Sequence, residues 1–488
     1  MKKSRLISLI LASLISASSL VSCSDSPAQE SDTEAETPVS GESENEAETS
    51  ADDLAEDGKN NYDNAPAVDY GGWEMHIATS AGRDMGHCFS AITVDDLTGD
   101  VFNDAIYNRQ VSVQDKFNVK IVEHNHIDVT PALIASVTAN TSDYAFGFQI
   151  FNDEITLFSN HFCIGVSDMP VFDLSQPWWD QGAIEDLSIN GKMYYGFSDM
   201  GFGHYDSNVL LYYNGKFLTD HHLTSPYDLY KEGKWTMDAM KEMMSAVASD
   251  ENGDGKMSEA DDITGLVGRM GHYMPMLAAS NLSILDWDDE NGTMIFDVMD
   301  EDVMALGDKI AEIILDKSIS MPEKNTAQAM FKQGQALFYS HVIGEYRNLR
   351  DQEDDYGLIT WPTLRENMSG RMYTMSPEAY FIPADCPDEE RLATLIDAMN
   401  MYSYDYVIDD YVERSVIGKG ARDQQSAEII REHFYKRAFD LASAFGLSSP
   451  HSAWNMAVTK SIYASIQQRS SKTIIREVEE IVGNLTDW

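Results

Sequence analysis

The sequence predicts an α/β fold in two lobes, and three observations lead there. The chain has 488 residues, 43% of them hydrophobic, and single hydrophobic cores stop growing at about 250–300 residues, so two lobes are the default. Past residue 66, short apolar runs of strand length alternate with amphipathic runs of helix length, the pattern of an α/β chain. No internal repeat with a period of about 20–50 residues interrupts that alternation.

Taken in order, the chain opens with Lys2, Lys3 and Arg5, runs through the apolar stretch LISLILASLISASSLV and reaches Leu20-Val21-Ser22-Cys23. A basic start before a short apolar stretch is an export signal, too short and too polar to span a membrane as a helix of about 20 apolar residues. LVSC resembles the bacterial lipobox. That resemblance implies a signal peptide over 1–22, lipidation of Cys23 and a membrane anchor. Residues 24–65 then carry fourteen acidic residues against Lys59, with no aromatic before Tyr62. Such a segment cannot bury enough apolar surface to offset its conformational entropy, so 23–65 reads as a lipidated cysteine and a disordered acidic tether. As a flexible chain the tether spans roughly 35 Å.

The formal net charge of -47 repels phosphate backbones and anionic headgroups, which argues against nucleic acid and anionic substrates. After lipidation only Cys88, Cys163 and Cys386 remain. They allow at most one disulfide and have no zinc or redox spacing, so buried free thiols are expected.

Strand-like runs are expected at 73–80, 119–126, 144–150, 208–214, 335–340, 356–362 and 378–384, and helical patterns at 101–117, 236–249, 301–317, 387–403, 425–445 and 453–482. The stretch PWWDQGAIEDLSINGKMYYGFSD is followed by LLYYNGKFL, SPYDLYKEGKWTMDAMKEM and an acidic loop, and later by FKQGQALFYS, FIPADCPDEERLATLIDAMNMYS and GKGARDQQSAEIIREHFYKRAFD. In their order these stretches resemble the extracellular solute-binding lipoproteins of carbohydrate ABC transporters, related to maltose- and alginate-oligosaccharide-binding proteins. The resemblance covers most of the chain after residue 66. It implies a type II periplasmic-binding-protein-like fold closing on a sugar between lobes, with several hinge crossovers. Carried onto this sequence, lobe one holds 66–198 and 375–410, and lobe two holds 200–372 and 411–488. The expected partners are a carbohydrate ligand, permease subunits and the membrane through the lipid; the chain is expected to be a monomer outside the cytoplasm.

The acidic loop DENGDGKMSEADD, from Asp250 to Asp262, presents oxygen donors at the positions a twelve-residue calcium loop uses. These are Asp250, Asn252, Asp254, the carbonyl of Lys256, Ser258 and Asp261, with Gly255 at the sharp turn and apolar Met257 after it. Position 12 is Asp rather than Glu, which shortens its reach, and the glycine-rich segment that follows is no exit helix. The expectation is one structural Ca2+; the alternative is an acidic turn that binds nothing specific.

A sugar offers an apolar C–H face and a rim of hydroxyls, so its site wants aromatic platforms and polar partners. Trp454 in SPHSAWNMAV and Tyr346 in GEYRNLR resemble positions that supply stacking aromatics in relatives. Arg83 and Asp84 follow the first strand, where open α/β sheets collect ligands. Tyr205 and Asp206 lie beside the expected hinge. Trp178, Trp179 and Trp235 are assigned to packing. No nucleophile elbow, HExxH, Walker loop or dinucleotide fingerprint stands in a credible setting, so no catalytic residue is assigned and the chain is not expected to be an enzyme. Binding of a non-sugar solute on the same scaffold, glycan capture without a transporter, and an exported glycoside hydrolase remain as alternatives.

Overall fold

Fourteen strands are placed by the computed structural model, which describes residues 60–80, 91–150, 155–269, 271–322 and 325–486. In chain order they are β1 (Trp73–Thr79), β2 (Val119–Asn125), β3 (Phe146–Ile150), β4 (Cys163–Ile164), β5 (Val209–Asn214), β6 (Thr264–Gly268), β7 (Leu285–Asp288), β8 (Thr293–Phe296), β9 (Ser320–Pro322), β10 (Ala336–Val342), β11 (Tyr356–Ile359), β12 (Met372–Tyr373), β13 (Glu378–Pro383) and β14 (Arg437–Ala438). Two five-stranded sheets result, β2-β1-β3-β13-β4 and β11-β5-β10-β6-β9. The two-lobed α/β expectation is the fold found. β5, β10, β11 and β13 are buried along their whole length, which is why they read as continuous apolar runs rather than alternating ones.

In both sheets, parallel strands are joined by helices, as parallel pairing requires. The helix Val101–Phe117 links β1 to β2. Asp100 caps it by accepting from the N–H groups of Phe102 and Asn103, and Asn118 ends it in the left-handed region. In the other lobe the helix Met237–Val247 precedes β6. Thr236 caps it, and Met237, Met240, Met243, Met244 and Val247 are buried along one side.

Three elements depart from the sequence reading. The folded part begins before residue 66: Asn61–Asn64 forms a helical turn that buries Tyr62, whose N–H donates to Asp405 and whose ring meets Tyr402 edge-on at 4.9 Å. The expected helix over 425–445 stops at His433, because the segment after it pairs as β14 with β12. The expected helix over 453–482 is two helices, Ser448–Lys460 and Tyr463–Thr486, separated at Ser461 with φ 48°. The second of these packs on β8 and also on the helix Ile155–Ser159 beside the first sheet, so it is not confined to one lobe. Cys163 is a buried free thiol, pushed up in pKa by burial, and Cys386 is also free. Cys88, Cys23, the signal and the tether up to residue 59 lie outside the described residues. No described helix is long and apolar enough to cross a membrane.

Candidate ligand site at the lobe crossovers

Strand registers decide where a ligand can sit. In the first sheet, Thr79 at the end of β1 pairs with Asn125 of β2 and Phe148 of β3, and Ile150 at the end of β3 pairs with Glu378, the first residue of β13. In the second, Val342 at the end of β10 pairs with Val209, the first residue of β5, while Gly268 at the end of β6 pairs with Ser340 and Pro322. β5 and β13 are the strands that begin immediately after the chain crosses between sheets. The carboxyl ends of the parallel strands of both sheets therefore meet the crossovers, the position where open α/β sheets bind ligands.

The two crossovers pair with each other. Asn208 bridges Thr374, whose hydroxyl donates to the Asn208 side chain at 2.7 Å, and Met375 N–H donates to Ser207 O at 3.0 Å. β14 runs alongside, with Thr374 N–H donating to Ala438 O. Gly203 lets the first crossover pass the Glu378 carboxylate: a Cβ there would stand 1.9 Å from its Oε2.

On this frame three expected ligand residues come together. Arg347 Nη1 lies 3.0 Å from Asp206, which also accepts from the Tyr411 hydroxyl, and the Arg347 guanidinium sits 4.8 Å over the Tyr346 ring. Tyr205 adjoins them, its hydroxyl donating to Asp199, its ring stacked on Phe434 at 4.5 Å and covered by Arg437 at 4.3 Å. Tyr205, Asp206 and Tyr346 are 1%, 0% and 2% exposed, so none offers an open face; the Arg347 side chain, 21% exposed, is the member that reaches solvent. Burial pushes the Tyr346 hydroxyl up to about 12. Burial works against the Arg347 charge, but Asp206 outweighs it and holds the guanidinium protonated.

Trp454 is placed elsewhere. It is fully buried between the helices Ser448–Lys460, Glu301–Ile314 and Tyr463–Thr486, close enough to Gly307 that a Cβ there would meet its Cη2 at 3.0 Å. Its ring is packing, with no face for a sugar to stack on. Trp178, Trp179 and Trp235 are buried as expected. Arg83 and Asp84 lie outside the described residues.

Beside the crossovers lies a groove of about 410 Å³, within the usual range for small-molecule sites. Its wall includes His272, Tyr373, Met375, Ser376, Asp440 and His451. The His272 and His451 rings stack 4.9 Å apart and 6° from parallel, and His451 Nε2 is 2.5 Å from Asp440. Burial opposes charging of both partners, but each stabilises the other's charge: His451 is raised and Asp440, which also accepts from Ser443, is lowered. His272 and Tyr273 follow β6 with φ of 53° and 69°, a left-handed pair that costs energy in non-glycine residues. Sequence reasoning missed this pair because the two imidazoles are far apart in the chain. The available signal was GRMGHYMP, rich in glycine where a paired calcium loop has its exit helix.

The acidic loop from Asp250 to Asp262 folds on its own backbone. Asp250 accepts from Gly253 and Gly255, Asn252 from Asp254, and Asp254 from Lys256, while buried Asp262 closes the loop by accepting from Glu251 and Ser258. Asn252 donates to Asp261 at 3.5 Å. Among the described residues no three His, Cys, Asp or Glu are gathered to hold a metal ion. The donor set is all hard oxygen, as calcium prefers.

Two α/β lobes whose parallel strands point their carboxyl ends at shared, paired crossovers make a cleft-type solute-binding architecture. The chain belongs to the family of bacterial extracellular solute-binding proteins, whose model matches residues 107–400, more than half its length. Among curated proteins none matches the sequence. Solved structures similar to it include an ABC substrate-binding protein from Listeria monocytogenes in complex with cycloalternan, with TM-score 0.50, 11% identity, 83% of this chain covered and 99% of that one. Another is a cyclo/maltodextrin-binding protein complexed with maltotetraose, with TM-score 0.52, 10% identity, and coverage of 85% and 97%.

Proposed function

We propose that the protein captures a sugar or oligosaccharide at the crossovers and delivers it to the permease of an ABC transporter. The observation that supports this reading best is the convergence of both sheets' carboxyl ends on two paired connections, with a groove of stacked imidazoles, Asp440 and a tyrosine beside them. Such a wall suits sugar hydroxyls and C–H faces, and the solved structures similar in fold include two with bound oligosaccharides. In this reading Cys23 carries the lipid that anchors the chain outside the cytoplasm, and the chain acts as a monomer. No bond is made or broken: ligand favours a closed arrangement of the lobes, and that arrangement is what the permease meets.

The test is a thermal-shift screen against mono- and oligosaccharides. A ligand at 100 times its Kd adds about 2.7 kcal/mol of apparent stability. We expect at least one sugar to raise the midpoint and His272→Ala to weaken that rise at least tenfold in sugar concentration. A panel that moves nothing, or a His272→Ala variant with unaltered affinity, would count against the site.

The acidic loop is proposed to hold one structural calcium ion through Asp250, Asn252, Asp254, the Lys256 carbonyl, Ser258 and Asp261. Calorimetry should find a single calcium site that disappears in Asp254→Ala, with magnesium binding much more weakly. An identical titration for the variant would leave the loop an ordinary acidic turn.

A further inference from the structure

A second cavity, of about 420 Å³, lies in the lobe of the second sheet and shares no lining residue with the crossover groove. The segment 360–371, the end of the helix Pro226–Lys231 and the end of the helix Gln424–His433 enclose it. Its walls are stitched together before any ligand arrives: Trp235 Nε1 donates to Thr360 O at 2.9 Å, Thr363 N–H to Trp235 O at 3.1 Å, and Asn367 N–H to Gly233 O at 2.8 Å. A preformed wall spares a ligand the entropy of ordering it.

Two rings in that wall carry polar atoms without partners. Trp361 and His433 are 3% and 5% exposed, and Trp361 Nε1 and His433 Nδ1 make no hydrogen bond. The tautomer of His433 follows from its neighbours. The Tyr230 hydroxyl has one proton and lies 2.7 Å from both Glu432 Oε1 and His433 Nε2. The carboxylate can only accept, so it takes that proton, and Nε2 must donate to the tyrosine oxygen. Nδ1 is left as a bare acceptor. Burial favours this neutral form by pushing the imidazole down. The residues that line the cavity therefore hold one unpartnered donor and one unpartnered acceptor, the complement of a hydroxyl group.

The charge of the rim runs against that of the chain. Lys231, Lys436 and Arg371 line the cavity with Glu432 as the one carboxylate, in a chain with 34 Lys and Arg against 81 Asp and Glu. Arg371 is occupied by Asp186 through both of its terminal nitrogens. The ion pairs of Lys231 and Lys436 are long, 3.8 Å to Glu428 and 3.7 Å to Glu432; Lys231 also lies 5.4 Å over the Tyr227 ring, and with 51% and 55% exposure both ammonium groups can turn to an anion at the mouth.

We propose that this cavity is a second ligand site, taking a small carboxylate-bearing sugar whose hydroxyls meet Trp361 and His433 and whose carboxylate meets Lys231 and Lys436. Glucuronate is the probe and glucose its neutral counterpart, titrated by calorimetry and tryptophan fluorescence into the full chain. Glucuronate should bind at least tenfold more tightly than glucose. The double variant Lys231→Met/Lys436→Met, both surface positions, should weaken it at least tenfold, and Trp361→Phe should remove the fluorescence change. His272→Ala should leave glucuronate affinity within twofold. The proposal is overturned if glucuronate gives no heat, if glucose binds equally well, or if the lysine variant is unaltered. It is also overturned if His272→Ala abolishes glucuronate binding, which would put the sugar acid in the crossover groove and leave the reading of that groove standing.

Discussion

Replacing Asp180 with alanine is expected to destabilise the protein by about 3–5 kcal/mol, the cost of stranding a buried charge. Asp180 and Arg437 are 3% and 2% exposed, and Arg437 Nε donates to Asp180 at 2.7 Å. The pair does more than neutralise itself. Asp180 caps the helix Gln181–Leu187 by accepting from Ala183 N–H, and Arg437 donates through Nη1 to Phe434 O while covering Tyr205. Packing leaves no slack, since a Cβ on Gly182 would stand 2.4 Å from Arg437 O. His204 lies 3.9 Å from Asp180, and burial together with Arg437 holds its imidazole neutral, so it cannot take over Arg437's charge. The pair thus fastens the segment before the first crossover to the strand that runs beside the second. Replacing both partners by apolar residues of similar size, Asp180→Leu with Arg437→Met, should cost less than either alanine substitution, because neither partner's charge is stranded, while buried Asp199, which also feels Arg437, keeps the hydrogen bond from Tyr205. Urea denaturation of the three variants decides it. A cost for Asp180→Ala below about 1 kcal/mol, or a double variant whose loss is the sum of the singles, contradicts the account.

How far the sequence disclosed this architecture depended on whether a segment's own pattern agreed with its final neighbours. Buried strands such as β5 and β10 announce themselves as apolar runs because both faces are covered. The Thr236 cap and the methionine stripe behind it are local, and the structure keeps both. β6 was hidden by its glycines. Gly265 is needed because a Cβ would come within 2.3 Å of Met244 Cβ, and Gly268 turns with φ 108° against Ser340 O. Those are requirements of packing partners far away in sequence, which no local pattern encodes. β14 was read as helix because Arg437 and Ala438 suit one, and pairing with β12 overrode that preference. The site divides the same way. Tyr205, Asp206 and Tyr346 meet because each adjoins a crossover or a strand end that the motifs located. His272 and His451 meet only through the fold.

Trp454→Ala supplies the other large effect, and it separates a platform from a support. Truncating a fully buried tryptophan costs about 3–5 kcal/mol, from lost burial plus the cavity left behind. Nothing nearby can collapse into the gap easily. The Gly307 backbone lies against one edge of the ring, and Tyr463, 6.4 Å away by centroid, is held by its hydroxyl donating to Asp308 at 3.0 Å. Trp454→Phe keeps most of the volume and should cost less than half as much. Both variants should bind the sugar that stabilises the parent with Kd within about threefold of the parent value, measured well below the lowered melting point, because the ring has no face in the groove. His451, one turn earlier on the same helix, does line the groove. Affinity should therefore fall in His451→Ala, which removes a groove ring and also takes the imidazole partner from buried Asp440, and hold in Trp454→Phe, where it is the packing that suffers. If Trp454→Phe loses the sugar while its melting point stays near the parent's, the ring is reached by the ligand, and the platform role assigned to it from the sequence is the correct one.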